Sequence, residues 1–303
     1  MNKNLLICII GTTATGKTKL AVQIANEIDG EIISADSRQV YRGMNIGTGK
    51  DLNEYLINSK TVPYHLIDIV EPGTEYNVFR YKLDFRKAFY KIINNNKLPI
   101  LTGGSGMYIE SILNNYQLNT VPIDFDLRNK LEKYDNNELI KYLKSISKLH
   151  NTTDIIDNER LLRAIEIAEY FHKNKEPNIS DLTIKPIIFG IKFDRDEIRK
   201  RITDRLSNRL QSGMIEEVKK LLDDGISPTI LKYYGLEYKF ITLYLEGDLN
   251  YDDMFKKLNI AIHQFAKRQD TWWRRMEKNG TKILWIDGKL TESEKLSFVK
   301  SYI

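Results

Sequence analysis

The sequence predicts an α/β protein, a parallel sheet flanked by helices and interrupted by a helical insertion. Three observations predict it. Short apolar runs with β-branched residues alternate with stretches of helical period in the first part of the chain. Two of those runs, Leu5–Ile10 and Leu98–Leu101, lead straight into glycine-rich turns. Then the texture changes near Asn119: no glycine lies between Gly106 and Gly190, and three helical patterns follow one another.

Leu5–Ile10 suits a strand buried on both faces. Leu20, Ala21, Ile24, Ala25 and Ile28 recur at helical spacing behind it. Glu31–Ser34 reads as a second strand and Tyr64–Val70 as a third. Phe79, Leu83, Phe89, Ile92 and Ile93 mark an amphipathic helix that stops near Asn94–Asn96, and Leu98–Leu101 is the next strand. The insertion carries helical patterns at Leu127–Tyr134, Asn137–Ile146 and Asn158–His172. Pro186–Phe193 returns to strand character. Glu197–Leu222 is an Arg-rich helical region broken near Gly213, Met254–Met276 is a further helix, and Lys282–Ile286 is a late strand. The expected domains are a core of residues 1–116 and 186–303 and a helical insertion of 117–185.

Composition excludes several classes. With 303 residues, 42% apolar and 29% charged in mixed sign, the chain can bury a sizeable core and is not a disordered polymer. A lone Cys8 rules out an internal disulfide scaffold and a CxxC zinc site, and it reads as a buried strand residue. His65, His150, His172 and His263 show no ligand spacing. No apolar stretch is long enough to span a bilayer, and the N-terminal run leads into glycines instead of a cleavage site, so a cytoplasmic protein is expected. A net charge of +5 permits a phosphate or nucleic-acid partner. A monomer is the default.

The strongest motif is Gly11, Thr12, Thr13, Ala14, Thr15, Gly16, Lys17, Thr18, between a buried strand and a helix. That is the context of a P-loop. Backbone amides turn inward around phosphates, the helix N-terminus adds partial positive charge, Lys17 adds a cation, and the Thr18 hydroxyl is suited to Mg²⁺. Nucleoside triphosphates such as ATP are the default ligand. A second cluster, Asp36, Ser37, Arg38 and Gln39, follows the second strand, where loops line the ligand crevice of an open sheet. Asp36 reads either as a cap or as a carboxylate facing the P-loop. Arg201, Arg205 and Arg209 share one helical face, either as a solvated basic face or as an anion clamp. Lys267, Arg268, Gln269, Thr271, Trp272, Arg274 and Arg275 combine cations, an amide and aromatics, a set able to bind phosphates and stack on unpaired bases. Trp272 and Trp273 could each be core instead.

Six stretches together resemble the tRNA dimethylallyltransferase (tRNA isopentenyltransferase) family: GTTATGKT at 11–18, DSRQVYRGMNIGTGK at 36–50, GGSGMYIESIL at 103–113, NERLLRAIE at 158–166, RITDRLSNRLQSGMIEEV at 201–218 and AKRQDTWWRR at 266–275. They stand in family order and cover nearly the whole chain. The resemblance implies a P-loop-like sheet and transfer of a dimethylallyl group from dimethylallyl diphosphate, with Mg²⁺, to N6 of adenosine 37 beside the anticodon, in tRNAs reading codons that begin with U. It implies that the P-loop holds the donor's diphosphate and not ATP, that Asp36 takes the amine proton, and that Arg201 and Arg205 grip the diphosphate. It further implies tRNA contacts at Ser37, Arg38, Gln39, Ser105, Arg128, Arg160 and Arg163 and along the 267–274 segment, with the insertion gripping the anticodon stem. For Arg163 an i, i+3 ion pair with Glu166 is the competing reading.

The chain departs from the family pattern in places. Thr12 stands where a proline is usual, Gly49 and Asp51 stand in a segment that usually reads GTAKP, and Gly235–Lys239 varies a GYKE-type segment. Three rivals remain: a P-loop nucleotide kinase or ATPase, a relative that prenylates free AMP, ADP or ATP, and a non-catalytic RNA-binding protein.

Overall fold

A computed structural model describes residues 4–116, 121, 123–147, 158–173 and 182–303. The chain opens with β1 (Leu5–Gly11), α1 (Lys17–Ile28) and β2 (Gly30–Ala35). A short hairpin, β3 (Leu56–Ile57) and β4 (Lys60–Thr61), precedes β5 (Tyr64–His65). Then come α2 (Val78–Asn94), β6 (Leu98–Gly103) and α3 (Gly106–Leu113). The insertion contributes α4 (Phe125–Leu131), α5 (Asn136–Ile146) and α6 (Asn158–Lys173). The remainder is β7 (Lys185–Lys192), α7 (Arg195–Gln211), α8 (Met214–Asp223), α9 (Pro228–Tyr233), α10 (Leu236–Leu245), α11 (Tyr251–Lys278), β8 (Leu284–Asp287) and α12 (Glu292–Lys300).

Six strands form one parallel sheet in the order β5-β2-β6-β1-β7-β8. Leu6, Ile7, Cys8, Ile9 and Ile10 of β1 are fully buried, as a central strand covered on both faces requires. One face packs on a cluster holding Leu20, Ile24 and Val299; the other packs on Phe85, Phe89, Ile109, Leu258 and Trp273. In the strand order β6 lies between β1 and β2, so β1, β6 and β2 are consecutive neighbours. The loops after all three therefore leave the carboxyl end of the sheet side by side, where open α/β sheets bind ligands.

The chain divides into two compact units, residues 1–116 with 182–303, and residues 117–181. The second has its own small core of Leu131, Leu139, Leu143, Leu161 and Ile165. Among the described residues no helix is long and apolar enough to cross a membrane.

The strand expected over Tyr64–Val70 is a correction: only Tyr64 and His65 pair with β2. Leu66 and Asp68 adopt left-handed backbone (φ 64° and 55°), which breaks the pleat, although Leu66 and Ile67 stay buried. The freed Asp68 carboxylate instead holds the buried Lys50 ammonium. Gly213, at φ 95°, separates α7 from α8 where the break was expected.

Candidate active site

A cleft of about 810 Å³ opens at the carboxyl ends of β1, β2 and β6. Its floor is the Gly11–Thr18 loop. Gly16 takes φ 79° at the entry to α1, a conformation that costs a residue bearing a Cβ. The loop is braced from within: the Thr12 carbonyl accepts both the Thr15 hydroxyl (2.8 Å) and the Lys17 ammonium (2.5 Å). Burial, and then the neighbouring Arg205 guanidinium, push Lys17 down to about 7, while Asp36 and Glu54 pull the other way.

The loop is also held from outside. Arg201 donates through Nε to the Ala14 carbonyl at 2.9 Å and lies 4.4 Å over the Phe193 ring. Arg205 donates through Nη1 to the Thr13 hydroxyl at 3.1 Å. One helical face of α7 thus delivers two guanidiniums to the Gly11–Thr18 loop, so that face is not simply solvated. Burial, and then like charge from Arg209, lower the Arg205 pKa.

Asp36 lines the same cleft. Its Oδ1 accepts the Arg38 amide (2.8 Å) and the Gln39 amide (3.4 Å), which fixes the carboxylate on its own turn. Among the described residues no hydrogen bond or ion pair reaches Oδ2. No helix directly follows β2, so Asp36 closes a turn and does not cap a helix, and it is the cleft-facing reading that agrees with its place in the lining. Ser105, from the turn after β6, accepts the Ser37 amide at 3.0 Å and ties the two loops together. Gln39 is spent on structure: it meets Ser34 Oγ at 2.9 Å and donates to the Gly49 carbonyl at 2.9 Å. Arg38 lies against the rings of Tyr233 and Tyr234, 5.5 and 6.0 Å from their centroids.

Helix α11 sorts its residues by phase. Leu258, Ile262, Ala266, Gln269, Trp273 and Met276 form its buried stripe. Gln269, expected to contact RNA, is a correction. Its Oε1 accepts the Thr13 amide (2.7 Å) and its Nε2 donates to the Gly104 carbonyl (2.9 Å), so both ends of the amide are consumed inside the protein. Trp273 is fully buried core. Trp272 is half-buried, packed on the turn at Gly106, where an added Cβ would come within 2.5 Å of the indole, and Arg275 lies 4.0 Å over its ring. Arg275 also pairs with the buried Glu110 at 2.6 Å. Lys267, Arg268, Thr271 and Arg274 are exposed; Thr271 donates to the Lys267 carbonyl and Arg274 pairs with Asp270.

In the second unit, Arg128 and Arg163 share one acid. Both guanidiniums close on the buried Glu166 carboxylate, at 2.6 and 2.9 Å, and Arg163 also donates to the Val121 carbonyl. Desolvation raises the Glu166 pKa, but the two arginines outweigh it and the net shift is downward. The i, i+3 pair is thus present, but its acid is buried and not on the surface. Arg160 is exposed on α6.

Cys8 is buried and its thiol is pushed far up by desolvation. His65 meets Glu31 at 2.6 Å and His263 meets Thr203, while His150 lies outside the described residues. No group of three or more His, Cys, Asp or Glu gathers to hold a metal among the described residues. Thr18 lines the cleft, and among the described residues its hydroxyl makes no hydrogen bond. One hydroxyl beside a diphosphate suits Mg²⁺, which keeps several waters and needs few protein ligands.

Five acids escaped the sequence reading. Asp51, Glu54 and Glu237 line the cleft. Burial, the leading cause for both, raises the Glu54 and Glu237 carboxyls. Glu217 accepts the amides of Asn45, Ile46 and Gly47 at 2.7–3.0 Å and the Tyr238 hydroxyl at 2.7 Å. Asp68 holds Lys50. Glu217 lies within the 201–218 match, and Asp51 and Glu237 lie in segments where the chain departs from the family pattern, but no role was read for any of the five.

Comparisons with known proteins converge. The family model described as IPP transferase matches residues 39–276, and that described as isopentenyl transferase matches 4–70. A protein of Geotalea uraniireducens named tRNA dimethylallyltransferase 1 is 53% identical over 289 residues, 95% of this chain and 94% of its own. One of Bacteroides fragilis named tRNA dimethylallyltransferase 2 is 50% identical over 97% and 96%. The crystal structure of a Bacillus halodurans tRNA isopentenylpyrophosphate transferase superposes with TM-score 0.72 at 30% identity, covering 99% of this chain and 95% of that one. A eukaryotic dimethylallyltransferase captured acting on tRNA superposes with TM-score 0.76 at 25% identity, over 94% and 74%.

Proposed function

The chain belongs to the IPP transferase (tRNA dimethylallyltransferase) family, and from that premise we propose that it moves a dimethylallyl group from dimethylallyl diphosphate to N6 of the adenosine just 3′ of the anticodon in tRNAs. The observation that carries this reading is the shared cleft. The Gly11–Thr18 loop, held by two arginines, and the Asp36 carboxylate, one oxygen of which has no hydrogen bond among the described residues, line the same space.

The chemistry divides between the two sides. The allylic C–O bond breaks, and the diphosphate leaves with the electron pair. Loop amides, Lys17, Arg201 and Arg205 stabilise the charge that develops on it. Thr18 would hold Mg²⁺ beside the diphosphate, and the ion would add charge stabilisation there. The new bond forms between the allylic carbon and N6. The lone pair of N6 is delocalised into the ring, so the amine becomes a competent nucleophile only as its proton is taken. Asp36 Oδ2 is the group for that proton. An adenosine in a single-stranded loop is the cheapest base to extrude toward it.

Exposed Lys267 and Arg268 on α11 and Arg38 at the cleft suit the backbone and bases of an RNA hairpin. Arg160 on the insertion has the same character, in keeping with a role for that unit on the anticodon stem. The purified protein, given Mg²⁺ and dimethylallyl diphosphate, is offered an unmodified anticodon stem-loop in parallel with AMP. Mass spectrometry of the nucleosides should show prenylated adenosine from the stem-loop alone. Product from AMP alone would move the chain to the free-nucleotide branch, and donor-independent ATP hydrolysis would favour a P-loop ATPase.

A further inference from the structure

The Gly47–Asp51 turn contributes an anion to the cleft that no step of the transfer uses. Asp51 Oδ2 lies 2.8 Å from Arg209 Nη2 and 3.4 Å from Arg205 Nη2. The same Arg205 reaches Thr13 of the phosphate loop with its other terminal nitrogen. One guanidinium therefore joins the place where a diphosphate would sit to a carboxylate of the protein itself. We propose that Asp51 is an internal counter-anion: it occupies the Arg205–Arg209 pair until diphosphate displaces it, and so sets how tightly the cleft holds both the donor and the diphosphate it releases. This rests on the reading of the glycine loop as a diphosphate site.

The turn is shaped for that contact. Gly49 has φ 66°, and a Cβ there would fall 2.1 Å from Arg209 and 2.4 Å from Arg205. A side chain at this positive φ is disfavoured and would push the two guanidinium ends away from the turn. The turn is anchored on either side of Gly49. Glu217 takes the amides of residues 45–47, and buried Lys50 donates to the Tyr41 carbonyl at 2.6 Å and to Asn45 at 3.0 Å. The Asp51 carboxylate, 42% exposed, can swing into water while that frame stays fixed. Gly49 and Asp51 are also two positions at which this chain departs from the family's usual segment.

Two guanidiniums side by side repel each other, and a carboxylate between them relieves the repulsion. A diphosphate carries more charge than one carboxylate and wins the exchange, but its net affinity is reduced by the ion pairs it must break. Removing the Asp51 charge should therefore tighten anion binding. A metal ligand or a rigid anchor for the arginines would give the opposite sign.

The test is calorimetric titration of inorganic pyrophosphate into the wild type, Asp51→Asn and Asp51→Ala, with and without Mg²⁺. Partly exposed ion pairs of this kind predict roughly three- to tenfold tighter binding in both variants under both conditions. Product inhibition by pyrophosphate should strengthen in proportion. Unchanged or weaker binding overturns the proposal; weakening confined to Mg²⁺ would make Asp51 a metal ligand. If the wild type binds no pyrophosphate, the reading of the glycine loop falls, and this inference with it. If the wild type binds and the variants do not tighten, only the inference falls.

Discussion

Gln269 accepts the Thr13 amide at 2.7 Å, joining helix α11 to the Gly11–Thr18 loop across 256 positions of sequence. The same side chain donates to the Gly104 carbonyl, so one buried amide sets the spacing between the loops after β1 and β6. Gln269→Ala leaves the buried Gly104 C=O without this partner, at a cost of about 1–3 kcal/mol, and the partly buried Thr13 N–H open to the cleft, at a smaller cost. We expect a lowered melting temperature and at least a tenfold loss in kcat/KM for the donor. Gln269→Glu keeps an acceptor for Thr13 but loses the donor to Gly104, so it should fall between Ala and wild type. Equal kinetics in all three proteins would contradict the bracing role.

Lys17 gives a pH signature. Its ammonium is held down to about 7, mainly by burial and next by Arg205. An anion in the loop favours the charged form and raises that value on binding. Above about 7 the free protein must therefore take up a proton to bind, and affinity falls by up to roughly tenfold per pH unit. Lys17→Arg keeps the charge at every accessible pH. Pyrophosphate affinity measured from pH 6 to 9 should decline more steeply for the wild type than for Lys17→Arg. Parallel curves would remove the lysine from the pH dependence.

Much of the scaffold was legible because its signals are local. Leu5–Ile10, the Gly11–Thr18 motif and the break at Gly213 each declare themselves within a few residues. What was not legible depends on partners far along the chain. The Arg163–Glu166 pair was readable at i, i+3, but the closing of Arg128 on the same acid, 38 positions away, was not. Asp51 offers no hint of Arg205 and Arg209, more than a hundred and fifty positions away. Helix phase in α11 was a missed signal: Leu258, Ile262, Ala266, Gln269, Trp273 and Met276 are spaced by three and four, which puts Gln269 and Trp273 inside.

The Glu166 cluster predicts a stability profile for the insertion. Two arginines hold the Glu166 carboxyl below its unfolded value despite desolvation. Its contribution is therefore fully present above the usual glutamate range and fades as pH falls through the depressed value. Glu166→Gln removes the buried charge that Arg128 and Arg163 share and leaves Arg128 the exposed Glu159 at 3.4 Å, which should cost about 3 kcal/mol near neutral pH. Thermal unfolding at pH 7 and pH 4 reads this: the gap between wild type and variant should narrow at the lower pH. A constant gap would show that charge is not the cause.

The most direct test of the account is single-turnover transfer by Asp36→Asn, with pyrophosphate and stem-loop binding measured on the same preparation. The substitution keeps an acceptor for the Arg38 amide but cannot take a proton. The account predicts that both ligands bind as in the wild type while the transfer rate falls by at least about a hundredfold. A variant that binds both and transfers at close to the wild-type rate would contradict it.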